Sequence, residues 1–239
     1  MNGIVEGLSE FTSPHFWVSV VEIIWINVLL SGDNAIVIAL ACRSLPPKQR
    51  LGGMVIGTAV ALALRLIFAS IVSSLMLFPY IKIVGGVALL WIAVKLLVPD
   101  ENDGSSVESS DSLWRAVKLI ALADVVMSLD NVIAVAAAAK GNYALLVFGL
   151  GISVPAIIAG ATVIMAMLNY FPMLIWAGAA LLGWIAGDVI ATDPIVVENV
   201  DSFAEGHHEK IRLASSLLGT VGTLICGRLL RARHAKESA

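Results

Sequence analysis

Seven apolar runs, at about residues 16–41, 52–77, 80–98, 113–139, 144–168, 172–191 and 211–230, constrain this chain more than any other feature. A bilayer's hydrocarbon core is about 30 Å thick, and a helix of ~20 apolar residues crosses it at about 1.5 Å per residue. The runs have this length, and the longer ones fit at a tilt. In lipid every backbone N–H and C=O must be satisfied within the segment, which leaves the helix as the solution for runs of this kind. Breaks fall at Pro46 with Pro47, Phe78 with Pro79, Gly141 with Asn142 and Phe171 with Pro172, residues that end or turn helices. Only 14% of residues are charged, against about a quarter in soluble domains. The expected fold is all-α: a polytopic membrane protein with seven transmembrane helices in one transmembrane domain over residues 1–239.

Polar stretches at 100–112 and at about 192–210 separate the runs and read as connecting loops. The first fifteen residues hold no Lys or Arg, unlike the basic start of a cleaved signal peptide, so the first run is expected to stay in the membrane. Cationic residues set orientation. With the N-terminus outside, the inner side holds Arg43, Lys48, Arg50, Lys95, Arg115, Lys118, Arg228, Arg231, Arg233 and Lys236, and the outer side Lys82, Lys140, Lys210 and Arg212. Ten against four selects N-terminus out and C-terminus in. The acidic loop with Asp193, Glu198, Asp201 and Glu205 then faces outward.

The chain also repeats itself. A shift of 97 residues lays 28–41 (VLLSGDNAIVIALA) on 125–138 (VVMSLDNVIAVAAA) with seven of fourteen positions identical, including Ser31/Ser128, Asp33/Asp130 and Asn34/Asn131. A shift of 93 aligns Phe-Pro at 78–79 with 171–172, and Trp-Ile-Ala at 91–93 with 184–186. Repeat one covers about 16–98, repeat two about 113–191, and an extra helix follows at about 211–230. Three helices per repeat is an odd number, so the second copy enters from the opposite face. Such inverted repeats recur in secondary transporters, with the substrate site near the midplane where they meet.

Ionisable groups in lipid cost about 2.5–3.5 kcal/mol each on insertion scales, yet Glu22 and Asp33 lie in the first helix and Asp124 and Asp130 in the fourth. Asn27, Asn34 and Asn131 accompany them. These groups should face the bundle interior. Asn27 and Asn34 are seven apart, as are Asp124 and Asn131, so each pair shares a helix face; Glu22 and Asp33, eleven apart, also share one. An antiparallel arrangement puts Asp33 level with Asp124 and Asn27 level with Asp130, the two levels ~9 Å apart. Gly32 is a weak point where the first helix can unwind; the second repeat has Leu129 there, so such a break would be asymmetric. Carboxylate and amide oxygens suit hard cations such as Mg²⁺, Ca²⁺ or Mn²⁺. The alternative reading of these pairs is hydrogen bonding between packed helices.

Arg65, in the middle of the second helix, requires a carboxylate partner. It reads either as a salt bridge pinning that helix to the first or fourth, or as a participant in coupling. Cys42 and Cys226 read as small packing residues, Trp17 and Trp25 as interfacial anchors or packing. The glycines around Gly85 and Gly86, Gly178, and Gly219 to Gly222 read as close helix packing. His207, His208 and Glu209 form a polar cluster that reads as solvated, with an outer metal site as the other possibility. No Walker loop, nucleophile elbow or zinc-protease motif is present, so no enzyme, prosthetic group or nucleic-acid partner is expected.

The segments LLSGDNAIVIALACRSLPPKQR and DVVMSLDNVIAVAAAAKG resemble the TerC family of bacterial integral membrane proteins. The family is grouped with the LysE-type exporter superfamily, and several members are linked to Mn²⁺ export. The resemblance spans essentially the whole chain and implies a bacterial inner-membrane location. It also implies a metal site on Asp33, Asn34, Asp130 and Asn131 with Asp124; Glu22 and Asn27 are added from helix geometry alone. The expected function is export of a divalent cation, Mn²⁺ first, by alternating access. Export of Ca²⁺ or a small organic solute is the nearest alternative. A non-transporting membrane factor for metalation or stress-response complexes is the alternative from another class. The expected partners are the metal ion and the lipid bilayer, with a homo-oligomer left open.

Overall fold

A computed structural model describes residues 14–75, 79–98, 109–139, 143–203 and 208–237. Among them all regular structure is helical: α1 (Pro14–Leu30), α2 (Gly32–Cys42), α3 (Pro47–Leu75), α4 (Ile81–Leu97), α5 (Ser109–Ala139), α6 (Tyr143–Tyr170), α7 (Met173–Ala191), α8 (Pro194–Phe203) and α9 (His208–Glu237). Among the described residues four segments are each long and apolar enough to cross a bilayer: Pro47–Phe68, Val147–Tyr170, Met173–Ala191 and His208–Arg233. Trp17–Asn27 with Gly32–Cys42 makes a fifth when the two are taken as one broken span.

The first apolar run is not one helix. It breaks at Ser31, and the segments on either side are bent by 56°. A Cβ on Gly32 would meet nothing within 4 Å, so packing does not require glycine there; its weak helix propensity marks the place where the helix is interrupted. By contrast α5, which carries Leu129 where the 97-residue shift places Gly32, runs unbroken from 109 to 139.

The loop expected at 192–210 holds a helix of its own. Pro194 opens α8 with its ring-fixed φ, and Asp193 before it accepts the N–H of Ile195 at 3.0 Å, a local N-cap. Asp193 is also fully buried. Its Oδ1 accepts the N–H of Tyr80 at 3.0 Å, and its Oδ2 accepts those of Lys82 at 3.1 Å and Ile83 at 3.3 Å. One carboxylate thus caps two helices. Tyr80, at φ 71°, turns the chain into α4 and has no side-chain cap of its own.

Packing follows the small residues. α7 lies against α9, where a Cβ on Gly183 would come within 2.6 Å of the Gly219 carbonyl oxygen. Ser215 Oγ donates to Gly187 O at 2.7 Å across the same seam, and Arg212 of α9 pairs with Asp188 of α7. Gly86 abuts Ala186 and Ile190 of α7, and Gly178 abuts Ile36 and Leu40 of α2. Gly222 departs from the expected pattern, with nothing within 4 Å of its Cβ position. Cys42 is buried in the core and Cys226 is exposed, both as free thiols.

The main core joins residues of α2 to α7, among them Leu40, Leu89, Ile92, Ile120 and Leu182. Large apolar side chains also point outward, including Trp25, Ile67, Val84, Trp91, Val163 and Leu218, a surface suited to lipid rather than water. The neighbours form a pattern. α3 packs on α5 and the α1–α2 segment on α6; α4 packs on α7, α2 on α5 and α3 on α6. Exchanging the first three helical segments for α5, α6 and α7 maps these pairs onto one another.

Candidate functional site

The polar residues meet where α1, α2, α3, α5 and α6 converge. On α1, Val20, Ile23 and Asn27 are buried, an inward stripe at helical spacing. On α3 the stripe runs through Met54, Thr58, Ala61 and Arg65. Gly57 lets α3 approach α5 closely, since a Cβ there would overlap Ile120. That approach puts Arg65 beside Asp124, and Asp124 Oδ1 accepts a charge-assisted hydrogen bond from Arg65 Nη2. The other terminal nitrogen, Nη1, donates to Asn27 Oδ1 at 2.8 Å. Asn27 Nδ2 donates to Ser153 Oγ of α6, and Ser153 donates to Leu150 O at 2.6 Å. Ser31, at the break in the first span, donates to Asn27 Oδ1 at 3.4 Å.

Arg65 therefore ties α3 to both α1 and α5, and the residue is 6% exposed against 7% for Asp124 and 2% for Asn27. A buried ion pair is tolerated when its remaining polar atoms are satisfied. Here they are not. Asp124 Oδ2, Arg65 Nε, Thr58 Oγ1 and both amide atoms of Asn34 are buried without hydrogen-bond partners. Asn27, Asn34, Thr58, Arg65, Asp124 and Ser153 line one small cavity of about 30 Å³, room for a water or two, or for a desolvated ion. Orphaned polar atoms around such a space point to a ligand or to water.

The sequence-derived residues divide. Asn27, Asn34, Asp124 and Arg65 come together on this cavity. Asp33 opens α2 beside it, half-buried, its Oδ1 accepting the N–H of Asn34 at 2.8 Å, and it lies within electrostatic range of Arg65 and Asp124. Glu22 does not face the interior: it is exposed, on the side of α1 opposite Ile23 and Asn27, and the bend at Ser31 undoes the shared face expected with Asp33. The side chains of Asp130 and Asn131 lie outside the described residues, as does His207. Asn27 and Asp124, expected at levels ~9 Å apart, are bridged by one guanidinium. Among the described residues no three His, Cys, Asp or Glu side chains group to hold a metal ion.

Sequence reasoning passed over Ser153 and Thr58, and named Ser31 only as a match between the two Asp-Asn segments. A signal existed for the first: Ser153 precedes Pro155, a proline inside an otherwise apolar helix, and polar residues near such interruptions mark lined cavities. Thr58 and Ser153 stand 95 residues apart, between the two repeat shifts of 97 and 93.

Comparison with known proteins bears on what this cavity belongs to. Residues 12–235 match the Integral membrane protein TerC family. The chain belongs to the TerC family. As a TerC-family member it is a multi-pass membrane protein. It is 40% identical over 210 residues to the uncharacterized membrane protein YjbE of Bacillus subtilis, covering 88% of this chain and 89% of that one. To YceF of the same organism, also an uncharacterized membrane protein, it is 30% identical over 185 residues, 73% of this chain and 71% of the relative. The UPF0053 inner membrane protein YoaE of Escherichia coli K12 shares 30% over 139 residues, half of this TerC-family chain but 27% of its own length. No solved structure matches.

Proposed function

We propose that this TerC-family protein is a secondary transporter, not an enzyme, that exports a divalent cation, Mn²⁺ foremost, across the bacterial inner membrane by alternating access. One observation carries the reading: Asp124, ion-paired to Arg65, shares a buried cavity with the unpartnered oxygens of Asn34 and Thr58. These are hard oxygen donors, of the kind that suit Mn²⁺, Mg²⁺ or Ca²⁺. In the described conformation Arg65 supplies the positive charge that Asp124 needs in an apolar surrounding. An arriving cation, held by Asp124, Asp33 and the side-chain oxygens of Asn27 and Asn34, takes over that role and releases the guanidinium. When the ion leaves, Arg65 returns. The exchange gives two arrangements of one network, the bistable element that alternating access requires. Asp130 and Asn131 take the equivalent part in the second repeat.

The proposal includes seven spans in two inverted repeats plus α9, with the N-terminus outside and the C-terminus in the cytoplasm. Supporting it, the neighbour pattern exchanges onto itself, and equivalent positions Asn27 and Asp124 meet at one guanidinium. Positions equivalent under an inverted repeat lie at equal depths on opposite sides of the midplane, so they meet only near it.

The test is Mn²⁺ flux into proteoliposomes holding the purified chain, beside Asp33→Ala, Asp124→Asn and Asp130→Ala. The reading expects at least a tenfold loss in each. Unchanged flux in Asp33→Ala and Asp130→Ala sinks the site. No flux from the wild type, with co-purifying proteins, favours the non-transporting factor.

A further inference from the structure

Two cavities lie in line inside the bundle. The walls of the polar one include Ile38 of α2, Thr58 of α3, Ile120 of α5 and Ile157 of α6. The second, about 350 Å³, lies at the end of the bundle where α2 and α6 finish and α3 and α5 begin. The same four helices help to line it, through Leu40, Arg50, Leu119 and Met165. Each of them therefore runs from one cavity to the other. On α2 and α5 the two walls are less than a turn apart. On α3 and α6, Thr58 and Arg50, like Ile157 and Met165, are eight residues apart, about 12 Å along a helix axis.

An apolar plug separates the two. Met54 sits midway between Arg50 and Thr58 on one face of α3 and is buried at 2% exposure. Ala161 sits midway between Ile157 and Met165 on α6 and is fully buried. The two helices meet at this level, with Thr162 Oγ1 3.8 Å from Met54 Sδ. Met54 and Ala161 belong with Ile38 and Ile120 to one packed apolar cluster. A charged solute pays heavily to cross such a seal, because the plug returns none of the hydration it gives up. Of these side chains Met54 is the one built to move. It is unbranched, with three rotatable bonds, whereas Ile38 and Ile120 are stiff at χ1 and Ala161 has no side chain to swing. Ile120 is further fixed by its close contact with Gly57.

We propose that Met54 is the gate between the two cavities, and that the transported cation passes between the Asp124 cavity and the end cleft when the Met54 side chain swings out of the plug. The inference rests on the reading of the Asp124 cavity as the substrate site and adds to it a route and a gating residue. A thioether is a soft ligand, ill-matched to a hard divalent cation. Met54 therefore closes the path without offering the ion a second place to bind.

The test reads solvent access and uses no metal, so its failure and a failure to carry Mn²⁺ are separate results. Ala61 lines the Asp124 cavity and becomes the reporter as Ala61→Cys, in a full chain that also carries Cys42→Ala and Cys226→Ser. A membrane-impermeant cationic methanethiosulfonate is added to right-side-out and to inverted membrane vesicles. Arg231→Cys, on the wall of the end cleft, shows in the same background which side the cleft faces. Met54→Ala leaves space that the surroundings fill only in part, and should speed modification of the reporter by about tenfold. The gain should come only from the side on which Arg231→Cys reacts. Met54→Leu, which keeps the volume of the plug, should not speed it. An unchanged rate in Met54→Ala overturns the proposal, as does a gain from the opposite side or from both. Should Met54→Ala fail to fold, Met54→Val carries the same comparison with a smaller truncation.

Discussion

Asn27 and Asp124, 97 residues apart in the chain, hold the two terminal nitrogens of a single guanidinium, that of Arg65. Where Asn27 goes on to donate to Ser153, Asp124 leaves Oδ2 unpartnered, and Thr58 leaves its hydroxyl unpartnered. One half of the network is closed and the other is open. The open half is where Asp124 Oδ2 and Thr58 Oγ1 are left without partners.

Removing one member of the buried pair strands a charge. Arg65→Leu or Asp124→Leu alone should cost about 3–5 kcal/mol, and the double variant should recover most of it. Thermal unfolding of the four proteins in detergent reads this coupling. Additive losses would mean that the pair is not a unit.

Asn34 separates stability from function. Its amide is buried with no partner for either atom, so Asn34→Leu removes an unsatisfied group of similar size. The variant should be as stable as the wild type or more so, by about 1–3 kcal/mol. It should nonetheless lose Mn²⁺ flux. A destabilised variant that still transports would show that Asn34 serves packing instead.

Asp193 is a structural carboxylate. Asp193→Ala should cost about 2–4 kcal/mol, because the N–H groups of Tyr80, Lys82 and Ile83 lose an acceptor together with the cap of α8. Amide hydrogen exchange at 80–83 should accelerate while exchange in α9 stays unchanged. Uniform acceleration would place the loss elsewhere.

The α7–α9 seam tolerates no side chain at Gly183. Gly183→Leu should separate the helices at a cost of about 1–3 kcal/mol or more, while Gly222→Ala, with open space at its Cβ position, should be near neutral. Trypsin cleavage after Lys210 or Arg212 is the readout: faster in the first variant, unchanged in the second.

Much of this architecture is legible in the chain because lipid leaves few choices. Apolar runs of spanning length dictate helices, and Gly32 marks where the first span breaks. Arg65 announces a carboxylate partner because an unpaired guanidinium has no stable place in an apolar bundle. Glu22 shows the limit. Its separation from Asp33 predicts a shared face only along a continuous helix, and the helix is not continuous. The role of Asp193 was equally hidden, since only the turn at Tyr80 brings the N–H groups of Tyr80, Lys82 and Ile83 to its carboxylate.

The sequence alone determined that this is an all-helical TerC-family membrane protein with two matched polar motifs and one cation that had to be paired. Which carboxylate pairs with Arg65 was decided by tertiary structure, through the close approach of α3 and α5 at Gly57. The same holds for the bond from Asn27 to Ser153, and for the seat of Met54 against α6. The physical reason is range. Burial and helix formation act within a segment and are written in its composition, whereas a hydrogen bond or ion pair between segments depends on rotations and crossing points that packing alone sets.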